Sequence, residues 1–554
     1  MLKINFKILV FLFAFSLNVF AQDEAPNILL IAVDDMADWV GCMGGYRGVV
    51  HTPNIDRLAS RGILFTNAHC TSPICGPSRA AILTGLRPEQ NGVYNNLGIY
   101  SDYSDAVGFP LYFRQNGYTS LGAGKINHGY DCEIPENWDE YGPDTRHIGG
   151  PVNEEEMSIE GMDPTKYIKR FDVTLPQNPG ALVDRPDNKY STWDYCAFDI
   201  PDSEMPDGKI ALWGVEQLQK NHDKPFLLAC GFYRPHQPFY VPKKYFDMYD
   251  LDKVVLPETI AGDMFDIPIP GINLAHGAWS SGKHETCIKY QQWKPLVRGY
   301  LAAISFADGQ VGKLIDALDY GVNSKNTWIV FFSDHGWHLG EKEHWGKHTP
   351  WRNSTRIPFI VVPPKGKSLG DFKPGTKCNQ PVNLVDIYPT LVELANLPEK
   401  EGLSGKSLLK LIKEPETEWD EATVTTVAHG NHAIHTKKWS YIHYYDGSEE
   451  LYNIEDDPEE WVNLANMPEH KILIKSLKVY IPEDRYKQFV RYGNWKACIL
   501  YSGKMELYDV SEGTGIAEQE DIAVSNPGIV SFIQDYLKRE NISDVFYNIE
   551  IGKI

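Results

Sequence analysis

Residues 26–35 read PNILLIAVDD and residues 326–336 read NTWIVFFSDHG. Each is a short apolar run, rich in β-branched and aromatic side chains, that stops at acidic residues. Runs this short and this evenly apolar suit strands covered on both faces. Phe226 to Cys230 and Ile357 to Val362 have the same character. Helical patterns lie between them: Ile55 to Arg61, Ala80 to Leu83, and the long segment Leu296 to Leu318. Strands alternating with helices predict an α/β sheet with helices on both sides. In such sheets ligands gather beyond the carboxyl ends of the strands, where Asp34, Asp35, Asp334 and His335 fall.

The chain has 554 residues, 42% of them hydrophobic, enough for a large core and a smaller second unit. Asp131 to Asp207, and much of Asp252 to Lys289, are polar with weak periodicity, which predicts long loops over the active face. Residues 1–21 read as a signal peptide: Lys3 and Lys7 precede the apolar stretch Ile8 to Phe20, and Val19-Phe20-Ala21 offers a cut before Gln22. That stretch is too short to cross a hydrocarbon core of ~30 Å as a helix. The expectation is export, secreted or periplasmic, with no transmembrane anchor, and Gln22 in place of Cys removes the usual lipid attachment point.

Formal net charge is −21, from 74 acidic and 53 basic residues. Nucleic-acid binding needs a basic footprint that this balance does not provide. An anion site must therefore be a local basic pocket. The nine cysteines, at 42, 70, 75, 132, 196, 230, 287, 378 and 498, are dispersed without CxxC pairs, and their odd number specifies no disulfide set.

The C-terminal part contains a repeat. Trp439, Tyr445, Gly447, Glu450, Leu451 and Tyr452 recur 56 residues later as Trp495, Tyr501, Gly503, Glu506, Leu507 and Tyr508. Each copy reads as two strands around a Gly turn, then a polar loop and a helix (Ile472 to Val479; Ile529 to Lys538). The division expected is a main unit over 22–420 and a C-terminal α+β unit over 421–554. The copies fall at about 425–480 and 481–540, with Trp and Tyr packed toward the main unit.

Residues 75–85 read CGPSRAAILTG. Pro77 suits the first turn of a helix and Gly85 its end, so Cys75 falls at a helix N-terminus, where backbone N–H groups favour an anion. Read alone, this cysteine is a packing residue or a low-pKa thiol. CxPSR with the small residues and Thr-Gly that follow resembles the sulfatase signature, in which a dedicated enzyme oxidises Cys to formylglycine. Asp34-Asp35, Thr52-Pro53-Asn54-Ile55-Asp56, Gly124-Lys125 with His128, and Ser333-Asp334-His335-Gly336 match that family in order and approximate spacing. The likeness runs from Pro26 to Pro363 and on into the C-terminal Trp-Lys and Glu-Leu-Tyr pattern. Gly124-Lys125-Ile126-Asn127-His128, Arg234-Pro235-His236, Asp334-His335-Gly336-Trp337 and Trp345-Gly346-Lys347 point to the iduronate-2-sulfatase branch.

The resemblance implies an alkaline-phosphatase-like fold, a large mixed sheet between helices. It also implies one Ca²⁺ held by Asp34, Asp35, Asp334, His335 and the modified Cys75. Carboxylates are hard ligands that suit calcium better than zinc. Arg79 would steady the hydrated formylglycine, and Lys125 and Lys347 would hold the sulfate oxygens. His236 would protonate the leaving oxygen and His128 would take a proton from residue 75. Arg234, Trp337, His344 and His348 would line the sugar pocket. Implied partners are a formylglycine-generating or anaerobic sulfatase-maturating enzyme and a sulfated oligosaccharide or polysaccharide, of an algal (ulvan) type. Two alternatives are glycosaminoglycan iduronate 2-sulfate as substrate, and phosphoester hydrolysis on the same fold.

Overall fold

Asn27–Asp34 is buried along its whole length, and its alternate residues enter different cores. Leu29, Ile31 and Val33 join the cluster around the long helix Trp293–Tyr320, whereas Ile28, Leu30 and Ala32 join a second one with Phe109, Ile387 and Leu411. This is the two-sided burial that a continuous apolar run predicts. The computed structural model describes residues 25–96, 106–128, 136–143, 193–277, 280–367, 369, 372–420, 422–483, 486–492, 495–500, 505–509, 523–539 and 548–551. The signal-peptide reading and most of the 131–207 loop reading lie outside them.

Among the described residues the large sheet has eight strands: β1 (Asn27–Asp34), β2 (Ile63–Phe65), β3 (Thr119–Gly124), β4 (Glu140–Tyr141), β5 (Phe226–Pro235), β6 (Thr327–Ser333), β7 (Phe359–Val362) and β8 (Thr376–Cys378). Their spatial order is β8-β2-β7-β6-β1-β5-β3-β4. β1 runs parallel to both neighbours, and β7 antiparallel to β6 and β2, so the sheet is mixed. Val33 pairs with Phe232 on one side and Ser333 on the other. Asp34-Asp35 and Asp334-His335 therefore leave the sheet side by side.

Helix α1 (Pro53–Arg61) carries the Thr-Pro-Asn-Ile-Asp motif. Its first N–H groups, on Asn54 and Ile55, donate at 3.0 and 2.8 Å to Asp308, which projects from the long helix. That motif thus anchors one helix to another. Helix α2 (Cys75–Thr84) begins at the cysteine and is wholly buried. It ends where Gly85, at φ 70°, returns its N–H to the Ala81 carbonyl. Helices α3 (Pro206–Gln219) and α4 (Trp293–Tyr320) cover one face of the sheet. The 252–289 region is less irregular than expected: it holds short helices at Ile269–His276 and His284–Lys289, too brief to leave a legible period.

Toward the C-terminus come β9 (Ala422–Thr426), β10 (His432–Thr436), β11 (Trp439–His443), β12 (Glu449–Asn453), α5 (Lys471–Leu477), β13 (Tyr486–Tyr492), β14 (Trp495–Leu500), β15 (Met505–Asp509), α6 (Pro527–Arg539) and β16 (Asn548–Ile551). The repeat is visible as register. Trp439 pairs with Asn453 and Trp495 with Asp509; His435 pairs with Ser440 and Arg491 with Lys496. Three strands are therefore duplicated, while the fourth differs: β9 lies antiparallel to β10, and β16 parallel to β13. Ile434, Tyr441 and Leu451 pack with residues of α5, as Val490, Ala497 and Leu507 do with residues of α6. Only part of the expected aromatic packing is found. Tyr452 packs toward the main unit with Trp351 and Met264, but Trp439 leans on its own copy's core. Strand alternation sends neighbouring positions to opposite faces. Among the described residues no helix is long and apolar enough to cross a membrane.

His435 on β10 stacks on His69 at 3.7 Å between ring centroids, both rings are buried, and neither nitrogen of His435 has a hydrogen-bond partner among the described residues. Burial, helped by the Arg352 charge, pushes His435 from 6.5 down to about 3. Between those values the unfolded chain holds a proton that the folded chain does not, so stability falls as pH drops through that window. Burial also pushes His69 and His344 down. The melting temperature should therefore drop between pH 7 and pH 5 in scanning calorimetry. His435→Phe, which sacrifices no hydrogen bond, should make that drop smaller; an unchanged pH slope would contradict the assignment.

Candidate active site

The two strand ends and the start of α2 meet at one buried point. One ligand atom from each of Asp34, Asp35, Cys75 and His335 lies within 4.8 Å of all the others. The Cys75 sulfur is 3.4 Å from Asp34 Oδ1, 3.9 Å from Asp35 Oδ1 and 3.3 Å from His335 Nε2. Asp35 sits at φ 62°, which interrupts the strand's alternation and turns the second carboxylate toward the first.

Buried carboxylates need opposite charge. Lys125 Nζ bonds Asp34 Oδ2. Lys347 Nζ is 2.6 Å from Asp35 Oδ1 and 2.8 Å from the Cys75 sulfur. Arg79, one turn along α2, donates through Nε to Asp334 Oδ2 at 2.9 Å and through Nη2 to Asp34 Oδ1 at 3.3 Å. It also bonds the Lys125 carbonyl. Its fork thus ties α2 to both strand ends and to the lysine's loop.

These charges set the protonation. Burial and the nearby sulfur push Asp34 up, but Lys125, His236 and Arg79 together hold it below the usual carboxylate range. Burial also pushes the Cys75 thiol up, and Lys125, Lys347 and His335 outweigh it, leaving it well below the ordinary value. His335 rises to about 9, because Asp334, Cys75 and Asp35 overcome its burial. Burial lowers His128, and the nearby Cys75 sulfur and Asp34 carboxylate pull the other way.

Asp334 stands one step back from the other acids. Its Oδ1 accepts the N–H groups of Asp35 (3.1 Å) and His335 (3.0 Å), and its Oδ2 faces Arg79. It is absent from the converging four, although His335 Nε2 is 3.7 Å from its Oδ2. His236 Nε2 is 3.7 Å from Asp35 Oδ2, with 14% of its side chain exposed, so it sits at the edge of the cluster. Trp337 is buried beside them, its ring 6.4 Å from the His236 ring and its centre 5.5 Å from Lys347 Nζ.

Two residues read as sugar contacts lie elsewhere. His344 is fully buried, with its ring nitrogens against the carbonyls of Ala275 and Lys347. Arg234 is also buried, and donates to the carbonyls of Tyr240 and His236 at 3.0 Å each. Both hold the backbone beside a functional residue. The sequence reading also passed over Ser78, whose hydroxyl donates to the Asp334 carbonyl at 2.7 Å, and Asn96, which accepts the Gly76 N–H at 2.7 Å. Ser78 was visible within the quoted motif, but Asn96 had no signal.

The group fits a cation. Asp35 Oδ2 is buried without a hydrogen-bond partner among the described residues, and hard carboxylate oxygens with an imidazole form a donor set for a divalent metal. A mixed sheet with such a cluster beyond its parallel strand ends defines an alkaline-phosphatase-like hydrolase fold. A phosphonate monoester hydrolase of Agrobacterium radiobacter shares it, with TM-score 0.64 and 21% identity over 82% of this chain and 95% of that one. So does a structure solved with its substrate D-glucosamine-2-N,6-O-disulfate, at TM-score 0.61 and 20% identity over 82% and 97%.

The sulfatase family profile matches residues 26–397, and the N-sulphoglucosamine sulphohydrolase C-terminal profile matches 340–487. A sulfatase of Formosa agariphila is 37% identical over 83% of this chain and 87% of its own length. Mus musculus iduronate 2-sulfatase is 30% identical over 72% and 74%, and a Formosa agariphila ulvan-active sulfatase 29% over 82% and 80%. The chain belongs to the sulfatase family and is a sulfuric ester hydrolase.

Arg79→Lys tests the tie between the strand ends, because an ammonium cannot bridge two aspartates and a carbonyl in one plane. Turnover of an aryl sulfate should fall ~10–100-fold, as for other residues that support metal ligands, in protein still folded by circular dichroism. Wild-type turnover would remove the bridging role.

Proposed function

We propose that this protein is an exported carbohydrate sulfatase, using formylglycine at position 75 and one calcium ion to desulfate a polysaccharide of the algal, ulvan type. The observation that carries the reading is the convergence of Cys75, Asp34, Asp35 and His335 beneath two lysine ammonium groups. Sugar as the substrate class is supported by the relatives named for ulvan and for iduronate 2-sulfate. Export is supported by the leader read in residues 1–21. Formylglycine requires a maturating enzyme as a partner.

Hydrated formylglycine would supply a nucleophilic oxygen, and calcium, held by Asp34, Asp35, His335 and Asp334, would supply charge that acidifies it and offsets the sulfate. The chain's own residues do the rest. Lys125 and Lys347 leave the carboxylates they now touch and take the sulfate oxygens, holding charge where it shifts in the transition state. His236, partly exposed at the rim, gives its proton to the leaving sugar oxygen. His128, which feels the Cys75 sulfur, takes a proton from residue 75 in this reading. Arg234 holds the His236 carbonyl, and the His236 ring itself bonds the Gln237 carbonyl through Nδ1.

Leaving-group dependence tests the assignment. A sugar alkoxide leaves only with a proton, whereas an activated phenolate leaves without one. His236→Ala should slow a sulfated oligosaccharide by ~10²–10⁴-fold and an activated aryl sulfate much less. Lys125→Ala and Lys347→Ala should slow both substrates alike. Equal slowing of both substrates by His236→Ala would make His236 a binding residue.

A further inference from the structure

The turn that delivers the aspartate pair is held by side chains from other elements. The N–H of Asp35 donates to Asp334 Oδ1 (3.1 Å), that of Met36 to Ser333 Oγ (2.9 Å) and that of Ala37 to the Tyr300 hydroxyl (2.8 Å). The Tyr300 hydroxyl also donates to the Asp35 carbonyl at 2.7 Å, and the Ser333 hydroxyl to the His335 carbonyl at 2.8 Å. One tyrosine oxygen thus closes the turn on both sides of Met36, and one serine oxygen joins the turn after β1 to the turn after β6.

In an extended strand, successive side chains point to opposite faces, so Asp34 and Asp35 could not share one ion. They converge because Asp35 adopts φ 62°. A residue with a Cβ enters that region reluctantly, and surroundings must over-determine it. Tyr300 is well suited to do so. It lies on α4, fully buried, with Trp39 edge-on at 5.7 Å and Phe239 edge-on at 5.5 Å. Packing alone would be served by phenylalanine, and the hydroxyl's bonds go to this turn.

We infer that Tyr300, with Ser333, is a positioning residue for the metal ligands: the two hydroxyls fix the left-handed turn that aims both Asp34 and Asp35 at one ion. Neither hydroxyl faces substrate. They act through the backbone of residues 35–37, and the effect is on metal affinity before chemistry. This rests on the calcium reading above.

The experiment is a calorimetric titration of calcium into chelator-treated, full-length enzyme. It compares wild type, Tyr300→Phe and a matched control, Tyr249→Phe. Tyr249 also has a buried hydroxyl that links two segments, accepting from the His51 N–H at 3.0 Å and bonding Ser305 at 2.6 Å, but it serves no residue of the cluster. Tyr300→Phe should bind calcium ~10–100-fold more weakly, the usual loss when a residue supporting a metal ligand is removed. Tyr249→Phe should keep wild-type affinity, even where both variants melt earlier.

Wild-type affinity in Tyr300→Phe, or an equal loss in Tyr249→Phe, overturns the inference while leaving the calcium reading intact. A wild-type enzyme that takes up no calcium refutes that reading, and the inference falls with it. If Tyr300→Phe yields no folded protein, Ser333→Ala decides: weakened calcium binding of the same order supports the clamp, and unchanged binding overturns it.

Discussion

Charge neutralisation at the end of β1 is the constraint on which the site depends. Asp34, Asp35 and Asp334 are all fully buried, and so is the His335 imidazole beside them. Burial of this many acids is tolerable only where cations meet them at short range. Arg79, Lys125 and Lys347 do so from three separate segments. The helix after Cys75, the loop after β3 and the hairpin at Trp345 to Lys347 are each drawn to the same point by charge. The three cations are matched there by the three acids they meet, in a chain whose net charge is −21.

The C-terminal unit takes part in that arrangement from a distance. Glu450 on β12 accepts from Trp351 Nε1 at 2.9 Å and from the hydroxyls of Tyr444 and Tyr452 at 2.5 Å each. Glu460 accepts the Arg352 N–H at 2.8 Å, and Lys342 bonds Asp263 at 2.7 Å and the Glu460 carbonyl. Lys342, Trp351 and Arg352 bracket Lys347 in the chain. The segment that presents Lys347 is therefore pinned at both ends to the first copy of the repeat. The second copy keeps the same strand register and helix packing on a separate core.

What the sequence made legible was local. Apolar runs stopped by acids located the sheet's centre and the edge where the buried acids gather, and residues 56 apart, such as Trp439 and Trp495, hold matching places in their strand pairs. The contacts between distant segments were not legible. Nor was the burial of Arg234 and His344 against carbonyls legible: His236 and Tyr240 lie two and six residues from Arg234 and Lys347 three from His344, within reach only because the chain bends back there, and Ala275 is 69 residues from His344. The same holds for Asp334, which reads as an equal of Asp34 but whose carboxylate is taken up by two backbone N–H groups and Arg79. The positive φ of Asp35 and the role of Tyr300 arise from a contact between residues 265 positions apart.

The proposed chemistry needs residue 75 as formylglycine and not as a thiol. Mass spectrometry of the peptide spanning Cys75, taken from enzyme co-produced with a maturating enzyme, measures this directly when paired with activity across preparations of differing conversion. Activity should rise in proportion to the formylglycine fraction and vanish where only cysteine is found. Full activity in a preparation whose residue 75 is entirely cysteine would contradict the account.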